Sequence, residues 1–249
     1  MNELKSFIDW NNQIFETQKE NGLIDLNDFD IDGSTTATVL SDVLNRKENI
    51  HPFPYSVFKI HDEFIAISKD IKYVTGILLF LKPYIIDTEQ SDGRYLQNLP
   101  DRRYLVYATF GLQSVYNFWD RLGDMLYLFF ATTIKQNDVY FGRVFNQIPD
   151  QYKISKAYVE LKEMYDEMKD ILNLRHNSVH HFQIETLHYW GNTQHYNNEE
   201  ERNKLNADKF TYADKLKKSL EICNKAFVVA LNLIDKLPDK QNETIESEI

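Results

Sequence analysis

Residues 104–130 read YLVYATFGLQSVYNFWDRLGDMLYLFF, and this stretch decides the fold. Leu105, Ala108, Leu112, Val115, Trp119, Leu122, Leu126 and Phe129 recur at three and four residues, the spacing that lines one face of an α-helix. Tyr116, Phe118, Tyr127, Leu128 and Phe130 add a flanking apolar row. A helix that is apolar nearly all round belongs at the centre of a bundle. The uncharged run from Tyr104 to Trp119 has 16 residues, short of the ~20 that span a bilayer, and Asp120, Arg121 and Asp124 follow at once. It reads as a core helix, with no membrane partner.

Working outward, Phe64, Ile67, Ile71, Val74, Leu78, Leu81 and Ile85 step 3-4-3-4-3-4 and predict a helix over 61–86. The β-branched residues there leave a strand pair as the alternative. Leu4, Phe7, Ile8, Ile14 and Phe15 mark a first amphipathic helix ending near Gly22, and a weaker helical pattern follows Asp32-Gly33-Ser34. Residues 87–103, with Leu99-Pro100-Asp101, read as a loop and a domain boundary.

Downstream, Ser155 is the expected N-cap of a helix through Leu161, Met164, Tyr165, Met168 and Leu172. Residues 183–206 are polar and read as a loop with a short helix at Glu199–Arg202. Thr211-Tyr212-Ala213-Asp214 has the spacing of a capping box. It opens a helix with seam Leu216, Leu220, Cys223, Phe227, Leu231 and Ile234, stopped by Leu237-Pro238. The expected fold is all-α: an antiparallel helical bundle over 101–237, an N-terminal helical region over 1–100 of unassigned role, and a flexible charged tail over 238–249.

Composition agrees. The chain has 249 residues with 43% hydrophobic and 14% aromatic residues but only 8 Gly and 6 Pro, a balance of long helices and not of disorder. Cys223 is the single cysteine, so an intramolecular disulfide and a cysteine-based zinc site are both excluded. With no signal peptide at Met1–Lys5, a reducing cytoplasm is the expected compartment. The 28 Lys+Arg against 38 Asp+Glu give a net charge of −10, which excludes a protein coated in positive charge.

Five of the seven His fall between 176 and 195. They follow Arg175, which lies within the apolar stripe of its helix, an odd place for a permanent cation unless a partner or an anion sits there. Arg175 and His180, five residues apart, differ by about 140° on a continuous helix. They converge on one ligand only if the helix bends or two chains share a site.

Arg175-His176-x-x-x-His180 resembles the Arg-x4-6-His signature of the HEPN superfamily (higher eukaryotes and prokaryotes nucleotide-binding), in which Asn, Asp or His commonly follows the Arg. The order of a long helix, a second helix carrying the motif near its end and a closing helix is also similar to HEPN domains. Phe118-Trp119-Asp120-Arg121-Leu122-Gly123-Asp124 resembles the long-helix segment of a bacterial HEPN subgroup. The resemblance implies a metal-independent endoribonuclease, with no cofactor and no metal, whose site is shared across a homodimer. In that scheme a 2′-hydroxyl attacks the adjacent phosphate, His180 is the general acid/base and Arg175 clamps the phosphate. An imidazole near neutral pKa and a forked, permanent cation suit those roles.

His176 or Asn177 would orient His180 or the phosphate, and His181 stands as the alternative imidazole. Asn117, Asp120, Arg121 and Asp124 recur on one face of the long helix, so a pairing of Asp120 or Asp124 with Arg175 is expected, either as site support or as a structural pair. Phe182 stands where some HEPN toxins carry a Tyr that is modified by an antitoxin, so that form of regulation is not expected here. An antitoxin or other regulatory protein stays open as a partner, and toxin–antitoxin, anti-phage or stress-response roles follow from the resemblance alone.

Two other readings stand beside this one. His176 and His180 have the spacing of two metal ligands on one helix face, but Asn177 replaces the Glu of a His-Glu-x-x-His site. A HEPN-like module that binds nucleotide or RNA, or that dimerises, without catalysis is the other. Affinity for RNA rests largely on phosphate neutralisation. Residues 150–182 hold five Lys/Arg against six Asp/Glu, so RNA binding is expected to be weak and local to Arg175. Tyr189 and Trp190 are the stacking residues expected in the polar loop.

Overall fold

A computed structural model describes residues 2–51, 57–85, 98–130, 132–180, 183–195 and 197–240, with the backbone alone at 2–3, 57–58 and 178–180. The architecture is all-α. The helices are α1 (Asn2–Glu20), α2 (Thr36–Arg46), α3 (Val57–Leu81), α4 (Leu99–Phe129), α5 (Phe141–Gln147), α6 (Asp150–Lys153), α7 (Lys156–His180), α8 (Ile184–Gln194), α9 (Glu199–Lys209) and α10 (Tyr212–Ile234). A two-stranded ribbon, β1 (Asp30–Ile31) and β2 (Ser34–Thr35), precedes α2. Its turn places Asp32 and Gly33 at φ 52° and 82°, a left-handed pair that a glycine and an aspartate accept.

The long apolar helix is the centre of the molecule, as its pattern requires. α4 packs against α3, α7 and α10, and α1 covers the far side of α3. Phe64 of α3 meets Phe118 of α4 and Phe227 of α10 edge-on, with ring centroids 4.9 and 5.0 Å apart. All three rings are fully buried, each stabilising the fold by on the order of 1.5–3 kcal/mol relative to exposure. Close helix approach depends on two glycines of α4. A Cβ at Gly111 would meet Leu216 of α10 at 2.3 Å, and one at Gly123 would meet the backbone of Phe141 at 2.5 Å.

Several local expectations are corrected. Leu99-Pro100-Asp101 is not the end of a loop but the first turn of α4. Asn98 accepts the Asp101 amide at 2.8 Å and Asp101 accepts the Asn98 amide, a reciprocal cap. Pro100 fits there because an amide in the first turn has no helical partner to lose. The segment 183–206 is not a loop but carries α8 and most of α9. Its buried face is polar, with His188 and Asn192 inside and the Asn192 amide donating to the His188 carbonyl at 2.7 Å, so hydropathy conceals the helix. Thr211 makes no capping box. Its backbone is already helical and its hydroxyl donates to the Asp208 carbonyl at 2.6 Å, because α9 runs almost directly into α10.

Ser155 does cap α7, accepting the Tyr158 amide at 3.2 Å. Beyond α10, Lys240 donates its backbone amide to Arg46 at 2.8 Å. Lys47 reaches the Leu237 carbonyl and the Asp239 carboxylate. Residues 241–249 of the expected tail lie outside the described residues. Among the described helices none is long and apolar enough to cross a membrane.

Candidate active site

Arg175 enters the bundle from α7 and is received by α4. Its Nε donates to Gln113 Oε1 at 3.0 Å, and its guanidinium carbon lies 3.8 Å above the ring centroid of Tyr116. Gln113 Nε2 in turn donates to Asn117 Oδ1 at 2.7 Å. The cation in an apolar stripe is thereby explained: an aromatic face and a neutral amide take the place of a counter-ion. Stacking on a ring and a single bond through Nε leave the terminal nitrogens as the fork that binds two phosphate oxygens.

The expected pairing of Arg175 with Asp120 or Asp124 is not formed. Asp124 accepts from Arg121, three residues earlier on the same helix, and Arg121 Nε also reaches Glu63 of α3 at 3.0 Å. Proximity on one helix face decides this choice. Among the described residues no carboxylate lies within ion-pair distance of Arg175. Asp120 is half-buried beside Arg175 and Tyr116, and desolvation pushes its pKa up to about 6 against the pull of Arg121 and Arg175. Burial raises Asp124 to about 6 as well. Tyr116 and Tyr165 are also raised, chiefly by burial and further by their acidic and phenolic neighbours, Asp120 and Tyr140 among them.

The structure thus brings together Arg175, Asp120 and the polar row of α4. His176 and Asn177 lie exposed on α7. The α7 backbone continues to His180, so position 180 leaves the helix about 140° from position 175. The His180 side chain and all of His181 and Phe182 lie outside the described residues. Sequence pattern alone does not single out Gln113 or Tyr116. Gln113 extends the Asn117, Asp120, Asp124 row by one turn and is legible there; Tyr116 has the spacing of a core residue.

Two further expectations are placed. Tyr189 and Trp190 are exposed, as a stacking pair must be, but they stand on α8 and contact each other edge-on at 5.7 Å. His188, in contrast, is buried, with Nε2 3.1 Å from the Tyr212 hydroxyl. Cys223 is a fully buried thiol whose pKa burial pushes up, which leaves it packed and not nucleophilic. Among the described residues no three His, Cys, Asp or Glu gather as metal ligands would.

A family model described as Cthe2314-like HEPN matches residues 79–240, from the last turn of α3 to Lys240, whose amide bonds to Arg46. The chain belongs to the HEPN superfamily. The match takes in α4, α7 and α10 and therefore every element that holds Arg175 in place. No curated protein and no solved structure matches this HEPN chain.

Proposed function

We propose that this HEPN protein is a metal-independent endoribonuclease that acts as a homodimer, as the effector of a toxin, anti-phage or stress-response system in the cytoplasm. The observation that carries the proposal is the mounting of Arg175. A guanidinium held by Gln113 and the Tyr116 ring, within the family's Arg-x4-His motif, is a preorganised phosphate clamp.

The chemistry follows from the residue types. The 2′-oxygen attacks the adjacent phosphorus while its proton passes to an imidazole. The bond from phosphorus to the 5′-oxygen breaks, and that oxygen takes a proton from a second acid. The products are a cyclic phosphate and a 5′-hydroxyl. Arg175 neutralises the charge that grows on the non-bridging oxygens, and His180 moves the protons. Asp120, at about 6, titrates in the range where it can tune the charge beside Arg175. The continuous course of α7 to position 180 favours a site shared by two chains, with Arg175 and His180 supplied from different protomers.

Incubating RNA with the purified chain in EDTA, beside His180→Ala and His181→Ala, tests this. Cleavage by the wild type that His180→Ala abolishes is expected. Binding without turnover points instead to a non-catalytic HEPN-like module, and cleavage unchanged in both variants removes the imidazole from the mechanism.

A further inference from the structure

The exposed side of α4 does not end at Gln113, which receives Arg175. Within about four turns toward its N-terminus, Leu99, Arg102, Arg103, Val106, Tyr107 and Phe110 line an open groove of about 300 Å³. Leu99 and Phe110 are 61% and 56% exposed, and Tyr107 meets Phe110 edge-on at 6.3 Å. Large apolar side chains left open to water in a folded protein mark a binding surface more often than chance. Here two guanidinium groups flank them.

The groove lies in line with the Arg175 site along the surface of α4. Arg102 and Gln113 are eleven residues apart and differ by about 20° around the helix, so they lie along one line of its surface. Arg103, Phe110, Asn117 and Arg121 follow at seven, seven and four residues on the neighbouring line. From Arg103 to Gln113 the rise is about 15 Å, the length of roughly four stacked nucleotides of one strand.

Charge selects the occupant. The chain is at −10, and many of its basic side chains are taken by carboxylates, Lys47, Lys72, Lys82, Arg121 and Lys209 among them. Arg102 and Arg103 form no ion pair with a described residue, although Glu185 of α8 is near enough for its carboxyl to feel Arg102. Cations with no ion pair among the described residues, set beside open aromatic faces, fit a polyanion that carries its own π-faces.

We infer that this stripe of α4 is a track for single-stranded RNA, in which Phe110 and Tyr107 stack bases and Arg102 and Arg103 hold phosphates as the strand runs toward Arg175. The inference rests on the ribonuclease reading for its RNA partner but not for its geometry. It explains how an acidic protein gathers enough contacts to hold a polyanion.

Fluorescence anisotropy with a 2′-O-methyl octanucleotide, which cannot be cleaved, tests it on the full chain with Phe110→Ala and Arg103→Gln, thermal midpoints confirming that both variants fold. Phe110→Ala is expected to weaken binding about tenfold, and Arg103→Gln to weaken it about threefold while reducing the salt slope by about one. Unchanged affinity in both variants overturns the track. So does a change from dimer to monomer in sedimentation with affinity intact, which would assign the face to a second copy. Cleavage of unmodified RNA by the wild type is measured in parallel. If it is absent while the variants still weaken octamer binding, the track stands and the ribonuclease falls.

Discussion

The guanidinium carbon of Arg175 lies over the ring of Tyr116, 3.8 Å from its centroid, while Gln113 occupies its Nε. A lysine at 175 keeps the charge but loses both the fork and the stack, since an ammonium is a point charge on a flexible stem. Arg175→Lys is therefore expected to lower RNA cleavage about 10²-fold, the scale of losing one transition-state donor. Tyr116→Leu keeps the fork but removes a cation–π contact of about 0.5–2 kcal/mol, so a loss of a few-fold is expected. Single-turnover cleavage measures both. Arg175→Lys at the wild-type rate would sink the clamp.

Asp120 makes a pH-dependent contribution to stability whose sign is fixed by burial. Its folded pKa is about 6, above the ordinary 3.8, so between these values the folded state holds more protons than the unfolded one. Stability is then full below about pH 4 and falls as pH rises through 6. Asp120→Asn removes this loss. The variant and the wild type should have equal thermal midpoints near pH 3, and the variant should be the more stable at pH 7. A midpoint difference that is flat across this range would show that Asp120 ionises freely.

Much of this arrangement was legible in sequence because it obeys a simple period. The α4 seam, the α3 seam and the Ser155 cap follow from spacing, and Arg175 was marked by standing charged in an apolar stripe. The polar inside of α8 is hidden because His188 bonds through Nε2 to Tyr212 and the Asn192 amide bonds to the helix itself, an arrangement that hydropathy scores as loop. The partner of Arg175 is hidden for a related reason. Sequence suggests a carboxylate for a cation, whereas Tyr116 supplies a ring face and Arg121 has already claimed Asp124.

Close packing at Gly123 and Gly111 separates two kinds of clash. A Cβ at Gly123 meets only backbone, at Phe141 N, Phe141 Cα and Tyr140 C, all within 2.9 Å. At Gly111 it meets the ends of the Leu216 and Val74 side chains. Backbone cannot step aside without moving α5, so Gly123→Ala is expected to destabilise by about 2–3 kcal/mol despite the better helix propensity of alanine, and Gly111→Ala by about half of that. Urea denaturation orders the two. The reverse order would mean that the α4–α5 contact yields more readily than the α4–α10 contact.

Lys209 and Asp101 form an ion pair at 2.8 Å with both side chains fully buried. Asp101 also caps α4 through the Asn98 amide, so one carboxylate ties the start of the central helix to the end of α9. Desolvation makes such a pair a poor source of net stability, yet removing one member strands the other charge. Lys209→Met is expected to cost about 3–5 kcal/mol, a large part of a typical folding free energy. Adding Asp101→Asn removes the stranded charge while keeping a side chain able to accept from the Asn98 amide, and should restore more than half of the loss. Urea midpoints at constant slope measure both steps. If the double variant is no more stable than Lys209→Met, the cost lies in the packing of the lysine stem and not in the buried carboxylate.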